Sequence, residues 1–313
     1  MRPICFLILA HHQPRQLHRL IERLQDTGVF FVVHVGGRAS LADFEGPFVT
    51  TPNVIFIQDR LKVNWKGYSI VEATLRLMAK GLDVVPSDSY LVLLSGNDYP
   101  IKPISYLRQF FQDANHEYLS YWRLVDKPTW LHKIRYYYFF DVTWLNPRTS
   151  WFSRQWTRGY FRVFRYLLPR RRYPPELVAY GGAAWWALSY GCVKYVLEYM
   201  DQNPWLAQFY RLSDGPDEQL FQTIILNSPF KEKAIHYARY QQWAQAGDQP
   251  PFLTEEVFHF RYIDWALDRE RPALLDERDW EKIKQTPAWM ARKLDERCSA
   301  ALLDQLDRYL EQE

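Results

Sequence analysis

The residues of this chain best suited to proton transfer are the paired carboxylates Asp217 and Glu218, which follow a Gly215-Pro216 turn. A carboxylate held on a rigid element beside a cleft is what a general base requires. Pro216 suits the first turn of a helix, where acidic side chains meet the positive end of the dipole. The apolar run Leu220-Phe221 with Thr223-Ile224-Ile225-Leu226 then reads as a buried helix holding Glu218 near its start. Plain helix capping by both carboxylates is the competing reading. A second set is cationic. Arg261 and the pair Arg292-Lys293 offer a planar fork and a compact charge for phosphate oxygens, against the alternative of ordinary surface cations. The sequence contains no Asp-x-Asp, zinc-ligand cluster, nucleophile elbow or Gly-rich phosphate loop. P-loop and dinucleotide folds are therefore unsupported, and a leaving diphosphate would be neutralised by side-chain cations.

These groups need a scaffold. The first third alternates strand and helix patterns, the mark of an α/β domain with a largely parallel sheet. Strands are expected over 4–10, 29–35, 54–58, 90–94 and 118–121. Helices are expected through Leu17, Leu20, Ile21 and Leu24, over 68–79 and over 104–112. Residues 90–94 are continuously apolar, as in a strand buried on both faces, and lead into Ser95-Gly96-Asn97-Asp98-Tyr99-Pro100. Ligands of open α/β sheets bind at that carboxyl edge. After residue 175 the pattern predicts a strand over 179–188 entered through Gly181-Gly182, a helix over 192–200, and strands near 234–243 and 258–265. A helix over 276–284 follows, then a C-terminal helix over 299–311 with Leu302, Leu303, Leu306 and Leu310 on one face.

The net charge of +3 over 313 residues excludes a polyanion binder by bulk charge. Aromatics reach 17%, with 13 Trp and 21 Tyr, and their flat faces suit sugars and interfaces. Cys5, Cys192 and Cys298 are scattered and match no metal spacing, so reduced thiols in a cytoplasmic compartment are expected. The apolar run 4–10 ends at His11-His12, too short for a membrane span and without a signal-cleavage pattern. Segment 121–175 differs from the rest: twelve Lys or Arg against Asp126 and Asp141 alone, with seventeen aromatic residues. Arg154, Arg158, Arg162 and Arg165 are spaced along one side of a helix, and Arg170-Arg171-Arg172 closes the run. Three readings stand: a solvated basic face over an aromatic core, a helix docked on anionic lipid headgroups through Trp151, Phe152, Trp156, Phe161 and Phe164, or nucleic-acid binding. The last is disfavoured, because no RNA-binding motif accompanies it.

Eight stretches, in order, resemble the inverting, metal-independent glycosyltransferases that include core-2 and I-branching β-1,6-N-acetylglucosaminyltransferases and peptide O-xylosyltransferases. They are Ile8-Leu9-Ala10-His11, Val33-His34-Val35, Val63-Asn64-Trp65-Lys66-Gly67-Tyr68-Ser69-Ile70-Val71-Glu72-Ala73, and Leu93-Leu94-Ser95-Gly96-Asn97-Asp98-Tyr99-Pro100-Ile101-Lys102. Further on come residues 182–188, Pro216-Asp217-Glu218 with Phe221-Gln222-Thr223, Arg261-Tyr262-Ile263-Asp264-Trp265, and Ala291-Arg292-Lys293-Leu294-Asp295. The resemblance implies a GT-A-type α/β fold with a Rossmann-like, mostly parallel central sheet and flanking helices. It implies one domain over 1–313, comprising a nucleotide-sugar half (1–120), the basic aromatic insertion (121–175), an acceptor and catalytic half (176–297) and a packing helix (298–313). It implies a UDP-linked donor of N-acetylglucosamine or xylose, a glycan or lipid-linked glycan acceptor, and no metal cofactor. By position Glu218 matches the catalytic base, and Arg261 with Lys293 the diphosphate-binding cations, Arg292 sitting beside them. His11, His34, Gly36, Ser95, Asp98, Trp186, Asp217 and Trp243 are expected to line the donor and acceptor pocket. Gly36 stands where the family usually has an Asp that touches the nucleotide base, which keeps open a non-catalytic nucleotide- or carbohydrate-binding protein on the same fold. Animal members carry a membrane anchor and disulfides. Neither pattern is found here, so the expected setting is bacterial and cytoplasmic, peripheral on the membrane at most, with a surface glycan as product.

Overall fold

The computed structural model describes residues 1–246, 260–265, 269 and 272–312, with backbone alone at 161, 164–166 and 244–246. Strand β1 (Ile4–Ala10) lies between β2 (Val29–Val35) and β4 (Tyr90–Ser95), parallel to both. Strand β3 (Val54–Phe56) extends the parallel set beyond β2. On the far side β4 pairs antiparallel with β9 (Trp186–Ser189), and β9 antiparallel with β6 (Tyr118–Leu119), giving the order β3-β2-β1-β4-β9-β6. The expected Rossmann-like α/β class is therefore observed.

Alternation along β1 explains why its sequence is apolar throughout. Ile4, Phe6 and Ile8 enter one core while Cys5 and Leu7 enter the other, because successive side chains point to opposite faces. The first core is closed by helix Pro14–Leu24 and by the C-terminal helix Ala300–Leu310, through Leu17, Leu20, Leu24, Leu302, Leu303 and Leu306. The second is closed by helices Ser69–Val84, Tyr190–Gln202 and Leu220–Leu226.

Two smaller sheets matter for the site. Strands β10 (Arg261–Ile263) and β11 (Met290–Arg292) run parallel, and β11 pairs antiparallel with β5 (Tyr99–Pro100), just after the loop that follows β4. Strands β7 (Trp122–Arg123) and β8 (Tyr180–Gly181) form an antiparallel pair.

Several local expectations are corrected. Residues 234–243, expected as a strand, contribute instead to helix Tyr237–Ala246. Their Ala, Gln and Arg are good helix formers and no β-branched residue lies among 237–246. The strand over 179–188 is broken into β8 and β9. A side chain at Gly182 would overlap the Ser120 carbonyl, so the backbone passes too close there to stay in one ladder. The strand over 118–121 is likewise split, between β6 and β7. Of the strand near 258–265, only residues 261–263 pair, and Phe258 lies outside the described residues. Strands β5 and β11 had no separate signal in the sequence.

Candidate active site

The two sets of chemistry-bearing residues sit at the carboxyl edge of the parallel strands. The loop after β4 is built around Asp98, fully buried. Asp98 accepts from the Ser95 backbone N–H at 2.9 Å, from Arg261 Nε at 3.1 Å and from Arg292 Nη1 at 3.1 Å. Arg292 also donates to Ser95 Oγ, and Arg261 to the Leu93 carbonyl. Sheet β10-β11-β5 explains the convergence: pairing Ala291 with Tyr99 and Tyr262 with Ala291 brings both arginines to the aspartate. Burial lowers the Arg261 pKa, and Asp98 opposes that shift. Arg261 is 1% exposed, whereas Arg292 and Lys293 are half-buried. Of the three cations named from sequence, the latter two present surface to a ligand, and Arg261 stands behind them.

Glu218 closes a short 3-10 turn, Pro216–Glu218, and helix Leu220–Leu226 follows with every residue buried. Gly215 enters the turn at φ 62°, the left-handed region that favours glycine. The Glu218 side chain is 37% exposed, and its Oε2 is held by the ammonium of Lys133, itself only 9% exposed. Lys133 lies 3.8 Å from the centroid of the Trp130 ring. Asp217, half-buried beside it, has its pKa raised to about 7 by burial and by the Glu218 charge, against the pull of Lys133. Asp214 completes the acidic group. Burial opposes its ionisation, but His132 at 3.7 Å, Lys66 at 3.0 Å and the charge of Lys133 hold its pKa below the ordinary value.

Two chains of contact join the acidic group to the cationic one. On one side the Gly182 N–H donates to the Glu218 carbonyl at 2.9 Å. Three residues on, the Trp185 ring lies 4.5 Å from the Arg292 guanidinium and 4.8 Å from that of Arg261. Three residues span at most about 11 Å of extended chain, so the Glu218 backbone and the two guanidinium groups are joined by a short path. On the other side Lys66, paired with Asp214, follows Trp65, whose exposed ring is covered by the Arg148 guanidinium at 3.8 Å. Arg148 in turn acts on His11. Loss of water around that ring, then the charges of His12, Lys293, Arg292 and Arg148, lowers the His11 pKa to about 4. These contacts and charges link the acidic group, His11 and the cations into one polar set.

The remaining sequence candidates divide. Ser95, Asp98, His11 and Asp217 belong to this set. His34 is buried and neutral: its Nε2 accepts from the Leu61 N–H at 3.0 Å, and burial lowers its pKa to about 4. It fixes the loop after β3. Gly36 donates its N–H to the Ala10 carbonyl at 2.7 Å, and a Cβ there would stand 3.3 Å from the His11 Cβ. Trp186 is fully buried against Phe221 and lines no opening; its neighbour Trp185 is the tryptophan at the cations. Trp186 opens β9 with its side chain in the core, and Trp185 stands just outside that strand. Trp243 lies on helix Tyr237–Ala246, with Arg239 over its ring at 4.9 Å.

Sequence reasoning missed Lys133, Asp214, Lys66, Trp65, Arg148 and Trp185 as site residues. Lys66 and Trp65 lie inside one of the eight family-like stretches, and Asp214 directly precedes the Gly215-Pro216 turn. Lys133 and Arg148 come from segment 121–175, which the structure draws into the site. Asp141 and Asn146 of the same segment clamp residues 64–69, through the Ser69 hydroxyl at 2.5 Å and the Trp65 carbonyl at 2.8 Å. A surface depression between Arg15, Arg19, Arg23 and Asp307 lies elsewhere, and Arg19 and Arg23 are already paired with Asp304, Asp307 and Glu311.

Comparison with known proteins relates the chain to a family of glycosyltransferases. Canine xylosyltransferase 2 is 27% identical over 248 residues, covering 74% of this chain and 25% of the relative. Bovine xylosyltransferase 2 and human xylosyltransferase 1 are each 25% identical over 98% of this chain, covering 33% and 30% of their own lengths. The chain thus spans about a quarter to a third of the xylosyltransferases it matches. Among solved structures, the galactosyltransferase LgtC aligns over 99% of this chain at 10% identity with a TM-score of 0.42. The family profile described as Branch, Core-2/I-Branching enzyme, matches residues 4–267, a span that contains Glu218, Asp98 and Arg261, and this chain belongs to that family.

Proposed function

We propose that this chain is an inverting glycosyltransferase on a GT-A-type fold. Its donor is UDP-linked, with xylose favoured over N-acetylglucosamine by the relatives' names, and its acceptor is a hydroxyl of a bacterial surface glycan or lipid-linked glycan. The observation that carries the reading is a half-exposed carboxylate, held on one oxygen by Lys133 and tied through Gly182 and the neighbouring Trp185 to the Arg292 guanidinium. Lys133 occupies Oε2 of Glu218, which leaves the other oxygen to take the proton of an acceptor hydroxyl. That hydroxyl oxygen bonds to the anomeric carbon from the face opposite the diphosphate, the bond from that carbon to the phosphate oxygen breaks, and the pair leaves with the nucleoside diphosphate. Arg292 and Lys293 meet the charge that develops there, and Arg261 adds field from behind. His11, held neutral above about pH 4, adds no charge to the pocket. The buried thiols Cys5 and Cys192 and the exposed Cys298 are all free, which fits a reducing compartment.

The test is release of nucleoside diphosphate from a panel of UDP-sugars with glycan acceptors. Turnover is expected to persist in EDTA, because side-chain cations serve the diphosphate, and Glu218→Gln is expected to lower kcat by ~10²–10⁴ with donor KM little changed. A strict metal requirement, or equal loss of donor binding and turnover, counts against the mechanism. Donor binding by a folded sample with no diphosphate release would favour the non-catalytic reading that Gly36 keeps open.

A further inference from the structure

Helix Trp151–Leu167 carries an apolar ridge that the protein does not cover. At 3.6 residues per turn, Phe152, Trp156, Val163 and Leu167 fall within about 60° of one another. They are 78%, 56%, 53% and 70% exposed. The helix uses a different side to hold the body: Ser153 is buried, Thr157 Oγ1 donates to the Leu145 carbonyl at 2.7 Å, and the Tyr160 ring meets Phe139 edge-on at 5.7 Å. A third side presents Arg154, Arg158 and Arg162, all exposed, and Arg170 and Arg172 follow, also exposed. The sequence expectation also named Phe161, Phe164 and Arg165, whose side chains lie outside the described residues. An ordinary surface helix turns its apolar stripe to the core; here that stripe faces solvent, and four large side chains in a row mark an interaction surface.

We infer that this helix docks the protein on an anionic lipid bilayer. Charge selects the occupant. Residues 142–175 contain no Asp or Glu, so every charge this stretch of chain carries is positive. Rings and aliphatic side chains on one side, with arginines whose stems can bend toward headgroups on the other, form the pattern of a helix lying in the membrane interface. A second copy would bring two acid-free, arginine-rich helices together with no carboxylate to set their register. Nucleic acid would need rings and arginines on one surface, where here they stand on opposite sides. Among the described residues no helix is long and apolar enough to cross a membrane, so the attachment inferred is peripheral. It stands apart from the transferase reading, since it concerns a surface and not the residues around Glu218.

The test is flotation of the full chain with phosphatidylcholine vesicles, with and without phosphatidylglycerol, at low and high salt. Flotation is expected only with the anionic lipid at low salt. Replacing Arg154, Arg158 and Arg162 by Gln should lower the partition coefficient about 100-fold. Phe152→Ser with Val163→Ser and Leu167→Ser should abolish flotation while leaving the thermal melt and diphosphate release intact, because all three side chains are exposed. Trp156 is spared, as it also lines the apolar space under the helix with Phe139 and Leu145. The inference is overturned if the wild type stays unbound at low salt, or if the ridge variant floats as well as the wild type. Ridge-dependent dimerisation in sedimentation without flotation would assign the face to a second copy and overturn it equally.

Discussion

A lysine buried against tryptophan does two things for Glu218: it fixes one oxygen and keeps a positive charge within contact. Lys133→Met keeps the apolar stem and removes only that charge. A misplaced base typically costs up to about 100-fold in rate, so kcat is expected to fall at least ~10-fold while stability and donor KM change little; unchanged kcat in steady-state assays would remove Lys133 from the mechanism. Asp217 supplies a pH signature. Its pKa is raised from 3.8 to about 7, so the folded state binds the proton more tightly than the unfolded chain. The stability tied to that proton is fully present below about pH 4 and lost as pH rises through about 7. His34 has the opposite sign: its depressed pKa of about 4 gives stability present above about pH 6.5 and lost as pH falls. The two slopes offset one another in the wild type. Asp217→Asn removes the first, so urea melts should show the variant gaining ~1–2 kcal/mol on the wild type between pH 5 and pH 8, discounted for half-burial. An equal difference at both pH values would mean that Asp217 titrates normally. Asp217 and Glu218 were visible in the sequence as a pair; that a lysine 85 residues away holds one Glu218 oxygen was not.

The break between β8 and β9 contains Trp185 and ties the chain to Glu218 through the Gly182 N–H. It rests on Gly182, where any side chain would overlap the Ser120 carbonyl. Gly182→Ala is therefore expected to cost ~3 kcal/mol, because backbone cannot give way as a side-chain end can. Gly46→Ala, with nothing within 4 Å of the added carbon, should stay within about 1 kcal/mol of the wild type. Paired chemical melts check both, and a Gly182→Ala protein as stable as Gly46→Ala would show that the crossing is loose. Elements with a strong local signal, such as the continuously apolar strand 4–10 and the amphipathic helix 104–112, were legible in the sequence. The strand expected near 234–243 was misjudged because apolar content was weighed ahead of helix propensity. Strands β5, β8 and β11, two or three residues each, were missed as separate elements because too few positions exist to show alternation.

At the scale of the whole molecule, β1 contributes to both cores and the C-terminal helix seals the first of them. The second core reaches segment 121–175 through Tyr121, Leu124 and Ile134. Arg171 of the same segment donates to the carbonyls of Leu212 and Phe209. The molecule should thus unfold as one unit. Leu306→Ala, at a fully buried position, is expected to shift the entire urea transition by ~2–5 kcal/mol, with fluorescence and far-ultraviolet dichroism coincident; separate transitions would show that the C-terminal helix comes away by itself. The primary sequence by itself determined the α/β class, the order of the parallel strands' elements, the loop at Asp98 and the Asp217–Glu218 turn, because each depends on residues close together in the chain. Only the tertiary structure decided that segment 121–175 places Lys133 on Glu218 and Arg148 over Trp65, that Trp185 and not Trp186 meets the arginines, and that Arg261 is buried while Arg292 is partly exposed. Those outcomes depend on contacts between residues tens to hundreds of positions apart, and on which face of a short strand meets its neighbour, neither of which local patterning encodes.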